Sequence, residues 1–537
     1  MRSECLPFTA IPHTTPLFSD YLYNFPKVQE FYARPPQLGA WAADEARSIK
    51  YDEARRAQIA GILDRQNRAW NASPTTLENI ARLGRGACAI VTGQQVGLFG
   101  GPLFSIFKAL SAVHLAAEAT KTGIDCVPVF WLATEDHDLA EVNHTFLLAP
   151  DGTVKRVATT THGAENAPMS RIVFGPEIHQ AVEEAVSLLG ETELTDWLRE
   201  FYRPGETLGS AFAKLFSAMF EKFGVVLLDA SDPALHAMAA PIYRQSIERN
   251  AELTSELLAR GKALEQAGYH QQVKVTDSST LLFAMRDGQR LPIHRANSNH
   301  GEFRIETAKI TRDALLRQVE DSPHQFSANV LLRPVVQDYL LPTLAYIGGP
   351  AEIAYFAQAG VVYEKLLGRV TPTLPRFSAT VVESKARDFM ERYQLKFTDL
   401  FHGPERLREQ MAAHELPAEL HISFEAADAS LTESLQQISS ALEKLDKTLV
   451  EAAQGAGAKM HYQLQQLRGR AARAELRKSE VIARHAQFLS SSLYPDKALQ
   501  EREIAGAYFV ARHGREILDR LYHSTQVCCL DHQIIYL

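Results

Sequence analysis

The stretch that decides the fold runs from Ile90 to Ala116 and reads IVTGQQVGLFGGPLFSIFKALSAVHLA. It starts apolar, becomes glycine-rich, and then carries apolar residues at helical spacing. With the residues just before it, it predicts a strand at Ala87–Gly93, a turn, and a helix. Leu103, Ile106, Phe107, Leu110 and Val113 mark one helical face at a period of 3.6. Pro102 suits the first helical turn and Gly123 the stop. A second apolar run, CVPVFWLAT at Cys126–Thr134, follows. Strand, crossover helix, strand is a right-handed βαβ unit. Strands that are apolar throughout belong to a parallel sheet covered on both faces.

Reading outward, GVVLLDA (Gly224–Ala230) is a third strand of this kind. The helix after it has Asp232 as cap and Pro233 in its first turn. LLRPVVQDYLLPTLAYIGGPAEIAYFAQ holds a helix, a short strand at Leu344–Ile347 and a new helix from Pro350. The expected fold is α/β, a Rossmann-like open parallel sheet built from residues 1–150, 206–255 and 325–383. Two connector segments interrupt it. Residues 151–205 include the short strands GTVKRVATT and RIVFG, and residues 256–324 are β-rich and hairpin-like. From 384 to 490 the pattern becomes helical. Leu431, Leu435, Ile438, Leu442, Leu445 and Leu449 form a heptad seam, and Met460, Leu464, Leu467, Ala471, Ala474, Val481 and Phe488 continue the alternation. A break at Gly455 and Gly457 predicts an antiparallel coiled-coil hairpin, whose apolar seam suits a partner copy and hence a homodimer. Residues 491–537 return to globular character and dock on the body.

The chain has 537 residues, 46% hydrophobic and 22% charged, with net charge −8. The charge is spread along the chain and leaves no basic face for nucleic acid. No run of 18 apolar residues and no secretory leader is read, so membrane association is not expected. The cysteines are Cys5, Cys88, Cys126, Cys528 and Cys529, without a CxxC. This composition suits a reduced, cytoplasmic protein with neither a disulfide framework nor a zinc site.

Three clusters carry chemistry. The first is TGQQVGLFGGP, with Gly93, Gln94, Gln95, Gly97 and Gly101. A tight turn alone explains the glycines but not two adjacent glutamines. A helix N-terminus beyond a parallel strand suits phosphate or carboxylate. The second is ATEDHDLAEVNH, with Glu135, Asp136, His137, Asp138, Glu141, Asn143 and His144. A capped helix start accounts for Asp138 and Glu141. The imidazoles suit a general base, and the carboxylates suit Mg²⁺ held through a nucleotide. The third is AYIGGPAEIAYF, with Tyr346, Gly348, Gly349 and Glu352, preceded by Arg333 as an anion ligand.

TGQQVGLFGGPLFSIFKALSA, PVFWLATEDHDLAEVNH, NVLLRPVVQDYLLPTLAYIGGPAEIAYFAQ and LYPDKALQER together resemble the bacillithiol biosynthesis cysteine-adding enzyme family, the cysteine ligases. The resemblance covers most of the chain in order. It implies a Rossmann-type core, two connector insertions and a coiled coil supporting a homodimer. It also implies a reaction: L-cysteine joined through its carboxyl to the amine of glucosaminyl malate. Nucleotidyltransferase and synthetase relatives of that core carry HxGH after the first strand, where this chain reads GQQVGLFGG. A carboxylate needs activation, as acyl adenylate or acyl phosphate, so ATP or another nucleotide is the expected co-substrate. In this scheme the phosphates lie at the helix N-termini after Gly93 and Gly349, with Arg333 or Mg²⁺ offsetting their charge. His137, His144 and Asp136 are the expected catalytic groups. A nucleotidyltransferase acting on a sugar phosphate and a non-catalytic coiled-coil scaffold are the competing readings.

Overall fold

The computed structural model describes residues 2–161, 163–296, 301–414, 418–476, 480–524 and 529–537. Cys528 and the side chain of Ala474 lie outside the described residues.

The core is a five-stranded parallel sheet. Its strands are β1 (Cys88–Gln94), β2 (Cys126–Leu132), β3 (Val226–Asp229), β4 (Thr343–Gly348) and β5 (Thr373–Pro375). Their order across the sheet is β5-β4-β1-β2-β3, and every neighbour runs parallel. Read from the other edge this is the doubly wound order, with its switch point between β1 and β4. The apolar runs of the sequence have a direct cause here. Val127, Val129 and Trp131 of β2 face one core cluster, while Phe130 and Leu132 face another. Alternate side chains of a strand point to opposite faces, so a sheet covered on both sides needs apolar residues at every position.

Helix α1 (Leu103–Lys121) makes the crossover from β1 to β2. By length and mean hydropathy alone it could cross a membrane, but 72% of its apolar window is buried in the core. Helices α2 (Pro233–Glu248), α3 (Arg333–Leu340) and α4 (Pro350–Leu367) complete the Rossmann-like unit. Asp232 caps α2 through the Ala234 N–H at 2.9 Å.

The second insertion folds as a five-stranded sheet. Its order is Ala308–Thr311, Glu302–Ile305, Gln289–Arg295, Ser279–Arg286 and Phe326–Ala328, all antiparallel. Its last strand falls beyond residue 324, and the segment's start is the helix Asn250–Gln266. In the first insertion, Val154–Ala158 pairs with His144–Leu148. RIVFG forms no strand there: Met169–Arg171 is a helical turn, and Val173 makes an isolated bridge to Thr207. A third sheet joins the chain ends: His532–Tyr536 lies between Arg2–Leu6 and Ala379–Val382.

The coiled-coil hairpin is α5 (Ala418–Leu445) and α6 (Thr448–Leu476). Its turn is at Asp446–Lys447, not at the glycines. Asp446 Oδ1 accepts from the Thr448 N–H (2.9 Å) and hydroxyl (2.8 Å), which starts the second helix. Gly455 and Gly457 lie inside α6. A Cβ at Gly457 would stand 2.9 Å from Leu435 Cδ1, so this glycine lets the two helices approach.

Glycine positions give the packing test. A Cβ on Gly93 would meet the Trp131 carbonyl oxygen at 2.9 Å and its Cβ at 3.0 Å, both held by the sheet. Gly61 sits exposed in the helix Glu53–Ala69 with nothing within 4 Å. In urea unfolding, Gly93→Ala should lose about 1–3 kcal/mol, while Gly61→Ala should gain about 0.5–1 kcal/mol.

Candidate active site

The loops leaving β1, β2 and β4 open into one cleft of about 620 Å³ at the carboxyl ends of the strands. Phe283, Arg290, Asn329 and Val330 of the second insertion and the segment after it wall it, and Arg376 and Arg502 reach it from beyond β5.

At the switch point sits Lys108, one turn into α1 and buried at 3% exposure. Its Nζ donates to the Gly93 carbonyl (2.7 Å) and to Gln94 Oε1 (2.8 Å), and pairs with Glu352 Oε2 at 2.6 Å. Glu352 also accepts from the Gly349 N–H (2.7 Å) and the Tyr346 hydroxyl (2.5 Å). Burial alone would raise the Glu352 carboxyl, but Lys108 and the Gly349 N–H outweigh it and hold it below its usual range. For Lys108 burial wins over Glu352, and the ammonium pKa is lowered. Arg333 donates to Gln337 Oε1 (3.0 Å) and the Tyr355 hydroxyl (3.2 Å), with its guanidinium against the Trp131 and Tyr346 rings. Arg376 pairs with buried Glu501 at 2.5 Å. Each guanidinium has five N–H donors, so both keep donors to spare.

The loop after β2 brings acids and a histidine to the same cleft. Gln95 Nε2 donates to Asp136 Oδ2 (2.6 Å) and Glu141 Oε2 (2.8 Å), so the second glutamine ties the β1 turn to the β2 loop. Arg290 is nearly buried and bonds Ser327 Oγ (2.9 Å) and the Ala328 carbonyl (2.8 Å). It also donates to His137 Nδ1 at 3.2 Å. An Nδ1 that accepts leaves the proton of the neutral ring on Nε2. Burial and Arg290 hold the His137 pKa below its usual value, so the ring is neutral near pH 7. Its remaining nitrogen is therefore a donor.

Glu135 lines the cleft with a buried Oε1 that has no hydrogen-bond partner among the described residues. Burial, with Asp229 and Asp136 adding, pushes its carboxyl up to about 8 against Arg290 and Arg333. Its neighbour is His236 Nε2 at 3.5 Å, on α2. Burial pushes the His236 pKa down to about 4. Near pH 7 both groups are predominantly neutral, so the contact is not an ion pair.

Of the residues expected from sequence, Gly93, Gln94, Gln95, Glu135, Asp136, His137, Arg333, Tyr346, Gly349 and Glu352 line the cleft. His144, Asn143, Gly97, Gly101 and Gly348 do not. His144 opens the hairpin strand His144–Leu148, with Nδ1 on Asn143 Oδ1 (3.2 Å) and its ring against Phe146. Gly97 and Gly101 serve the turn: Gly101 has φ +69°, and a Cβ on Gly97 would stand 3.0 Å from Gly101 Cα. Gly348 belongs to β4, in register with Pro375. The helix N-termini are also engaged internally. The Leu103 N–H donates to the Ile504 carbonyl (2.9 Å), and the Gly349 N–H is taken by Glu352.

Sequence reasoning missed Lys108, Arg290, Arg502, His236 and Trp131 as site residues. Lys108 had a signal, a lone cation in SIFKALSAVHLA. Arg290 had none, since only the folded insertion brings it to the cleft. Among the described residues the one cluster of three metal-ligating groups, Cys5, Cys529 and Asp531, lies outside the cleft lining.

Comparison with known proteins agrees with this architecture. Residues 1–377 match the family model for the bacillithiol biosynthesis BshC N-terminal Rossmann-like domain, and residues 379–537 match its C-terminal coiled-coil domain. A relative from Koribacter versatilis, named "Putative cysteine ligase BshC", is 49% identical over all of both chains. Relatives of the same name from Solibacter usitatus and Geobacillus thermodenitrificans are 36% and 31% identical. They are covered over 100% of both chains in the first case, and over 98% of this chain and 99% of the relative in the second. A cleft at the Rossmann switch point, a coiled-coil hairpin and full-length similarity lead to one statement: the chain belongs to the bacillithiol-biosynthesis BshC family of enzymes.

Proposed function

We propose that this enzyme joins the carboxyl of L-cysteine to the amine of glucosaminyl malate, the last step of bacillithiol synthesis. The observation that carries the reading is the mix of charged groups in one cleft. Arg333, Arg376 and Arg502 supply cationic groups, and Glu135 and Asp136 supply acids to the same space. A malyl sugar amine and an activated amino acid need that combination of anion ligands and proton acceptor.

ATP or another nucleotide supplies the activation, as acyl adenylate or acyl phosphate. The Leu103 and Gly349 N–H groups are engaged, and the guanidinium N–H groups of Arg333, Arg376 and Arg502 fit phosphate or malate oxygens. Asp136 and Glu141 are the carboxylates that would hold Mg²⁺. The attacking amine must be neutral and loses a proton as the amide forms. His137 presents a donor, so Glu135 takes the base role that the sequence reading gave to His137 or His144. Glu135 lines the cleft, and its carboxyl takes that proton when ionised. Phe104, Trp131 and Tyr346 give the cleft an apolar lining that limits water, which would hydrolyse the activated acyl group.

The exposed apolar side chains of the hairpin, Ile438 at 51%, Leu445 at 78% and Leu467 at 56%, support a second copy packing there. The working form in this reading is a cytoplasmic homodimer that contacts neither nucleic acid nor membrane.

Four outcomes test these statements. Purified protein with glucosaminyl malate, cysteine, ATP and Mg²⁺ should yield bacillithiol with AMP or ADP by mass spectrometry; product absent across nucleotides and metals overturns the ligase reading. A carboxyl raised to about 8 is protonated below that pH, so kcat/KM should climb through pH 8. Glu135→Gln should remove that limb and lower the rate by about 10²–10⁴-fold. The same raised pKa makes the folded state hold a proton that the unfolded chain releases. Stability should therefore fall as pH rises towards 8, and Glu135→Gln should flatten that slope in chemical unfolding. Finally, the double substitution Ile438→Asp with Leu467→Asp should convert a dimer to a monomer in sedimentation velocity; an unchanged sedimentation coefficient contradicts the coiled-coil interface.

A further inference from the structure

We propose that Cys5 and Cys529 are a redox-active thiol pair that closes into a disulfide by exchange with low-molecular-weight disulfides. The two cysteines are 524 residues apart in sequence, and their sulfurs stand 2.7 Å apart. The third sheet brings them together. Strand Arg2–Leu6 runs antiparallel to His532–Tyr536 with Cys5 opposite Gln533, and Cys529 lies just before that last strand. Cys5 is exposed and Cys529 half-buried. The Asp531 carboxylate beside them accepts from the Tyr23 hydroxyl at 2.7 Å.

The separation chooses between a metal and a covalent bond. Two thiolates on a tetrahedral zinc with Zn–S near 2.3 Å stand about 3.8 Å apart. A disulfide holds its sulfurs at about 2.05 Å. The observed pair is already well inside the zinc spacing and within a small side-chain movement of the bond. Burial, with the hydrogen bond to Cys5 adding, pushes the Cys529 thiol up to about 12, and the exposed Cys5 is the sulfur that an external disulfide reaches first. Its thiolate attacks the external disulfide, forms a mixed disulfide and expels one thiolate. Cys529 then attacks the Cys5 sulfur and expels the second. The two protons of the pair end on the two released thiols, and one external disulfide is reduced for each bond made.

The bond would tie both chain ends at the outer end of a buried relay. His532 holds Ser378 Oγ (2.7 Å) and Thr380 Oγ1 (2.9 Å). The Ser378 hydroxyl reaches Glu501 (2.9 Å), and Glu501 pairs with Arg376 of the cleft. The proposal stands apart from the ligase reading, because it concerns only the thiols.

The test incubates full-length protein with oxidised glutathione or cystine, alkylates the remaining thiols with iodoacetamide and maps tryptic peptides. Peptide 3–27 carries Cys5, and peptide 521–537 carries Cys528 and Cys529. The expected result is a 3–27/521–537 cross-link in the wild type and in Cys528→Ser, absent from Cys529→Ser. The thermal midpoint of the wild type should rise on oxidation, and that rise should vanish in Cys5→Ser. Three results would overturn the proposal: Cys5 and Cys529 both alkylated after oxidation of the wild type, a link lost in Cys528→Ser and kept in Cys529→Ser, or stoichiometric zinc bound to both thiols. The wild-type map decides even where a variant folds poorly.

Discussion

A single buried ammonium organises the switch point. Lys108 hangs from a largely buried helix, where an unpaired charge would cost several kcal/mol. It is stable there because every proton of its ammonium finds a partner: the Gly93 carbonyl, Gln94 and Glu352. Those partners come from the end of β1 and the start of α4, and Lys108 itself from α1. One side chain therefore fixes three elements that the chain reaches more than 200 residues apart. Glu352 in turn fixes the Gly349 turn and the Tyr346 ring. Removing one member of such a pair leaves the other charged and buried, which costs about 3–5 kcal/mol.

Around this anchor the cleft gathers both kinds of charge. Arg333 and Arg376 are held by Gln337, Tyr355 and Glu501. Glu135 and Asp136 follow β2, and Gln95 and Arg290 pin Asp136 and His137 in place. Glu135 is the exception. It is buried beside a neutral histidine, with one oxygen unsatisfied among the described residues, a costly arrangement for a residue that only packs. Its raised pKa follows from that environment and suits proton transfer near neutral pH.

The βαβ unit was legible because its signals are local. Apolar runs, Asp232 before Pro233, and the period of Leu103 to Val113 each act within a few residues. So was the meeting of three loops, since parallel strands place their carboxyl ends on one edge. What could not be read depends on distant partners. The strand Arg2–Leu6 exists only because His532–Tyr536 lies beside it. The first helix N-terminus looked open for phosphate, but the Ile504 carbonyl, four hundred residues later, occupies it. Arg290 reaches His137 only after the second insertion folds. The glycines of α6 read as a break by propensity, yet tertiary contact with Leu435 keeps Gly457 helical and Asp446 supplies the turn.

The central claim is that substrate enters the cleft beside Lys108, at the carboxyl ends of β1, β2 and β4. Hydrogen–deuterium exchange with glucosaminyl malate and cysteine present tests it most directly. The account predicts slowed exchange at residues 93–95, 133–141, 328–333 and 349–352. Slowed exchange confined to other parts of the chain, with these four segments unchanged, would contradict it.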